Sequence, residues 1–159
     1  MRIRTGAAAA SAAALAVIFA VASSDAGGAA TPEVPTLTFG VHFSPFNLLD
    51  LGAPGVSEGD QVLFKDVLVS ADGSQVGHDG GFCVVTKVEA AGIEDECLAS
   101  YVLPGGQITT QGLDTPAPEK PFAITGGTGR YRKARGDGLL VEFGDGTGKV
   151  TFHLVAGDG

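Results

Sequence analysis

The sequence predicts an all-β protein, a closed eight-stranded antiparallel up-and-down barrel that follows an N-terminal export signal. Three observations carry this. The 159 residues include 25 Gly and no Trp, and beyond the N-terminus no apolar pattern repeats with the period of a helix. Short segments rich in Val, Leu, Ile, Phe and Thr recur instead, their side chains alternating between apolar and polar. The connections between them are built from Gly, Pro, Asp and Ser, the chemistry of turns. A chain of this length encloses its core as one domain. A meander of this many strands closes on itself, because closure leaves no strand edge exposed, with an open sandwich as the alternative.

The elements follow in order. Met1-Arg-Ile-Arg4 is basic and Ala7 to Val21 is apolar, the arrangement of a signal peptide. Ala20-Val21-Ala22 fits the small-x-small cleavage rule, and Ala26 is a later candidate. Residues 1–22 are therefore expected to be removed and the protein to be secreted to the extracellular side. The apolar run is short and Ala-rich for a bilayer span, so no stable membrane insertion is expected after cleavage. Residues 23–35 are small, polar and proline-containing, a flexible tether. The barrel domain is expected at 36–157.

Eight strands are predicted: Leu37–Phe43, Gln61–Val69, Gly80–Val88, Glu96–Leu103, Gln107–Gln111, Phe122–Thr125, Gly136–Phe143 and Lys149–Val155. Turns are expected at Ala71-Asp-Gly-Ser74, Ala90-Ala-Gly92, Pro104-Gly-Gly106 and Gly144-Asp-Gly-Thr-Gly148. The corner Gly126-Gly-Thr-Gly129 should hold consecutive residues at positive φ, which glycine adopts at little cost. Period-two alternation assigns faces. Val150, Phe152 and Leu154 share one, and Thr151 and His153 the other. Val62, Phe64, Asp66 and Leu68 share a face, so Asp66 is either a buried carboxylate among apolar neighbours, which is costly, or a surface acid at the strand's rim.

Charge and motifs exclude several function classes. The chain carries a formal −8. Beyond residue 22, eight Lys and Arg face all 18 Asp and Glu, a net −10, which argues against nucleic acid and anionic membranes as partners. His42, His78 and His153 are scattered and no Cys-x-x-Cys occurs, so no metal is expected. Gly144-Asp-Gly-Thr-Gly-Lys149 lacks the spacer and helix of a P-loop, and no Gly-x-Ser-x-Gly elbow supports serine hydrolysis. No cofactor is expected. Cys83 and Cys97 lie on the third and fourth strands with their midpoint, residue 90, in the connecting loop, so cross-strand pairing is natural in an oxidising compartment.

Phe122–Gly136 resembles the Gly-Gly-Thr-Gly…Ala-Arg-Gly segment of dirigent proteins and the Ala-(Val/Ile)-Thr-Gly-Gly-Ser-Gly segment of plant allene oxide cyclases. Val62-Leu-Phe-Lys-Asp66 resembles the dirigent Val-Val-Phe-Asp-Asp strand. Val76-Gly-His-Asp-Gly-Gly-Phe-Cys83 and Gly106-Gln-Ile-Thr-Thr-Gln-Gly112 resemble further segments in the same order, over roughly residues 59–155. The resemblance implies an eight-stranded barrel that binds a small, largely apolar molecule and guides its cyclisation or isomerisation, and it implies a homotrimer. The alternative is a non-catalytic secreted binding or structural barrel.

Carried over residue by residue, the resemblance implies Asp66 as proton acceptor or electrostatic stabiliser and Arg135, the arginine of Ala-Arg-Gly, as its anion partner. It implies a ligand pocket at His42, Phe64, Tyr101 and Arg135. The acid that often follows Gly-Gly-Thr-Gly is Arg130 here, and the acid of the first-strand His-Asp pair is Phe43. The cyclase glutamate has no equivalent, and the cyclase asparagine is matched by Asp66. A cyclase pocket residue matches Cys83, which would make it a free thiol. Cys97 has no such counterpart, and its presence favours the disulfide.

Overall fold

The computed structural model describes residues 35–155. The expected signal peptide, residues 23–34 of the tether and residues 156–157 of the barrel domain lie outside the described residues. Among the described residues ten strand segments run in order: β1 Thr36–His42, β2 Asn47–Leu49, β3 Gln61–Phe64, β4 Val67–Val69, β5 Gln75–Glu89, β6 Gly92–Leu103, β7 Gly106–Asp114, β8 Glu119–Gly127, β9 Gly136–Glu142 and β10 Thr147–Leu154. They form eight strands. β3 and β4 lie one after the other along β5, broken at Lys65-Asp66. β1 and β2 run against β4 and β3 and are broken at residues 43–46. Each later strand pairs antiparallel with its predecessor, and β1 pairs with β10 to close the barrel.

All eight predicted strands are present. The second is split, and the third starts earlier than expected, because β5 must pair with both halves of its broken neighbour. The alternation also holds. Val150 and Phe152 are fully buried, and His153 on the opposite face is exposed. One expectation is corrected at the glycine corner. Only Gly129 has positive φ, 58°, while Gly126 and Gly127 continue β8. Gly127 is needed for space: a Cβ there would lie 2.5 Å from the carbonyl oxygens of both Gln107 and Tyr131. A short 3-10 turn, Gly129–Tyr131, follows.

The interior is unevenly filled. Val41, Leu68, Leu103, Ile108, Ile124, Val150 and Phe152 pack into one cluster, near the β6–β7 and β8–β9 corners that supply Leu103 and Tyr131. The other half is hollow. Cys83 and Cys97 face each other across β5 and β6 and are bonded, with Cα atoms 4.0 Å apart, so the free-thiol reading of Cys83 falls. Among the described residues no helix is long and apolar enough to cross a membrane.

Candidate functional site

The hollow half is a cavity of about 410 Å³. Phe43, Val62, Phe64, Ala99, Phe122 and Leu140 supply apolar wall. Tyr101 forms the floor, stacked on Phe122 with ring centroids 6.3 Å apart and edge-on to Phe152 at 4.9 Å. Phe46, Leu48 and Val56, from the segment joining β1 to β3, stand at the mouth and are exposed.

Two carboxylates occupy the inner end, and the broken strands explain them. The break at Lys65-Asp66 removes the Asp66 N–H from the sheet ladder. A buried N–H without an acceptor costs stability, and the Asp79 Oδ1 accepts it at 2.9 Å. The Asp79 N–H in turn donates to the Asp66 carbonyl at 3.1 Å. At the β1–β2 break, the Ser44 N–H donates to Asp66 Oδ1 at 2.7 Å. Each carboxylate therefore replaces a missing main-chain acceptor while its remaining surface faces the cavity.

Asp66 is 6% exposed and Asp79 4%. Burial raises the Asp66 carboxyl above its ordinary range, against the pull of the Ser44 hydrogen bond. Burial, reinforced by the charge of Asp66, pushes Asp79 up to about 6, against the hydrogen bond from the Asp66 N–H. Burial and then the Asp79 charge push the Tyr101 phenol far up, opposed by its hydrogen bond with Thr110. Tyr101 therefore keeps its proton at neutral pH and can donate it in a hydrogen bond.

A second polar group lines the mouth side. Lys120 contacts the Asp114 carboxylate and the Thr115 carbonyl, and lies 3.9 Å from Glu142. Asp95 sits directly opposite Asp114 in the β6–β7 register.

Of the residues singled out in the sequence, the structure brings Asp66, Phe64 and Tyr101 together around the cavity. His42 and Arg135 are exposed and do not line it. His42 follows the inward Val41, so alternation turns it outward. Arg135 precedes β9 at the filled end, where its carbonyl accepts the Val155 N–H. Among the described residues no ion pair joins Asp66 to Arg135. Asp79, Asp95, Asp114, Lys120 and Glu142 also line the cavity, outside the residues that point to a site in the sequence. Counting by twos finds all of them: Asp79 from Cys83, Asp95 from Cys97 and Tyr101, Asp114 from Gly112, Lys120 from Phe122 and Glu142 from Leu140.

The family described as "Allene oxide cyclase barrel like domain" matches residues 45–143. Among solved structures, one titled "Pyocyanin demethylase" is 34% identical with a TM-score of 0.68, covering 76% of this chain and 100% of its own. A pterocarpan synthase dirigent protein is 19% identical with a TM-score of 0.61, covering 79% of this chain and 98% of its own. A Diels–Alderase from Streptomyces koyangensis is 17% identical with a TM-score of 0.58, covering 80% of this chain and 72% of its own. The last two share the fold. Comparison with curated proteins finds no match.

Proposed function

The chain belongs to the allene oxide cyclase barrel like family, and from that premise we propose that it is an exported barrel that binds a small, largely apolar molecule in its hollow half and guides the cyclisation or isomerisation of that molecule by proton transfer at Asp79, with Asp66 as electrostatic stabiliser. The observation that carries this is the pairing of two buried carboxylates with a buried phenol at the inner end of an apolar cavity. A carboxyl near 6 is matched to accept and return a proton close to neutral pH. Asp66, anchored by the Ser44 N–H, stabilises positive charge developing beside it. The Tyr101 hydroxyl is placed to donate to a developing oxyanion. The disulfide fits an oxidising compartment and so supports export.

The 34% identical pyocyanin demethylase makes pyocyanin the first molecule to test. Absorbance titration reports its binding, and chromatography coupled to mass spectrometry, which resolves isomers of equal mass, reports its conversion and any small molecule that co-purifies with the exported protein. Asp79→Asn should keep binding and lose turnover by about 10²-fold or more. Undiminished turnover in Asp79→Asn would remove the acid–base role. Tight binding without conversion of pyocyanin or of a co-purified molecule would favour a non-catalytic binding barrel.

A further inference from the structure

The polar groups of the cavity are not balanced. Among the described residues five carboxylates, Asp66, Asp79, Asp95, Asp114 and Glu142, line the cavity with a single cation, Lys120. When all are ionised, four negative charges are in excess. Main-chain N–H groups hold Asp66 and Asp79. Lys120 is committed to Asp114 and to the Thr115 carbonyl. Asp95 is left over. It is 7% exposed, it faces Asp114 directly across two strands, and its Oδ1 is enclosed with no hydrogen-bond partner. Like charges opposed on neighbouring strands are unfavourable, and a buried acceptor without a donor costs stability. Burial and the Asp114 charge both raise the Asp95 carboxyl, against Lys120. Asp95 also lines the cavity and borders a shallower recess lined by Gly92, Ile93, Thr115 and Pro116, so a ligand group has room to approach its carboxylate.

Building on the reading of the hollow half as a ligand cavity, we infer that the Asp95 end is a subsite for a positively charged nitrogen, and that the occupant is an organic cation with an apolar aromatic body. The nitrogen pairs with the Asp95 carboxylate, whose Oδ1 has no donor within the protein, and offsets the excess negative charge. The aromatic body lies against Phe122 and Tyr101, whose ring faces also favour a cation. The same carboxylates reject an anionic ligand of equal size. Among the described residues no three His, Cys, Asp or Glu side chains are arranged to hold a metal ion, so the charge deficit is assigned to an organic group.

Three probes with one ring system separate the possibilities: 2-naphthylmethylammonium, 2-naphthylmethanol and 2-naphthoate. Their affinities are measured by fluorescence titration near pH ~8, where carboxylates are ionised. The ammonium should bind about tenfold more tightly than the alcohol, and the carboxylate most weakly. Asp95→Asn should reduce the ammonium to the affinity of the alcohol and leave the alcohol unchanged. Equal binding of ammonium and alcohol, or an ammonium affinity untouched by Asp95→Asn, overturns the subsite while the alcohol's binding keeps the cavity reading. Failure of all three to bind removes both. Should Asp95→Asn not fold, Asp95→Ser removes the same charge: weaker ammonium binding supports the subsite, and unchanged binding overturns it.

Discussion

Asp79 holds its proton more tightly in the folded chain than in the unfolded one, because its carboxyl rises from 3.8 to about 6 on burial beside Asp66. The stability this contributes is fully present below about pH 4, declines as pH rises through about 6 and is absent above. Asp79→Asn keeps an Oδ1 acceptor for the Asp66 N–H and removes the charge. In urea melts at pH ~8 it should be more stable than wild type by about 1–3 kcal/mol, the two converging below pH ~4. A variant less stable than wild type at the higher pH contradicts the assignment. Asp66→Ala removes the acceptor of the Ser44 N–H and should cost about 1–3 kcal/mol. Arg135 is exposed, so Arg135→Leu should stay within about 0.5 kcal/mol of wild type. The double variant should be additive, whereas a buried Asp66–Arg135 pair would give a clear coupling energy.

Between strands, glycine decides how closely two corners approach. Gly129 opens the connection from β8 to β9 with φ 58°, and a Cβ there would lie 2.2 Å from the Gly105 carbonyl oxygen. Gly144, in the β9–β10 turn, also has positive φ, 78°, but a Cβ there would meet nothing within 4 Å. Gly144→Ala therefore isolates the conformational cost, about 1 kcal/mol. Gly129→Ala adds a clash with main chain and should cost at least about 1 kcal/mol more. Thermal melts of the two variants make the comparison, and equal costs would show that the β6–β7 and β8–β9 corners do not pack as described. The two broken strands follow similar logic, since a carboxylate takes over where the ladder stops.

For the whole molecule, the open question is assembly. The sequence resemblance implies a homotrimer, and an apolar outer patch is available: Phe82 and Leu98, each 40% exposed, are partners across β5 and β6. Light scattering of the mature protein at micromolar concentration should give three times the chain mass, and Phe82→Glu with Leu98→Glu should return the monomer. A monomeric wild type ends the inference. N-terminal sequencing of protein recovered from culture supernatant should begin shortly after Ala22, and intact Met1 in the membrane fraction would contradict export.

Local patterns determined much of this protein. Alternation and turn chemistry placed eight strands, and removal of free edges closed them into a barrel. The alternation of β10 placed Val150 and Phe152 inside. The positions of Cys83 and Cys97 about a tight turn paired them. Alternation assigns a face but not a height along the barrel axis. Height is the sum of register offsets over all eight strands, and no single strand contains it. That sum put Arg135 at the filled end and Asp66 in the hollow half, although the two were expected to meet. It also placed Asp95, Asp114, Lys120 and Glu142 on one side of the mouth from four separate strands. The break at Lys65-Asp66 was equally hidden, because it depends on Asp79 standing across the sheet to accept the hydrogen bond that the ladder gives up.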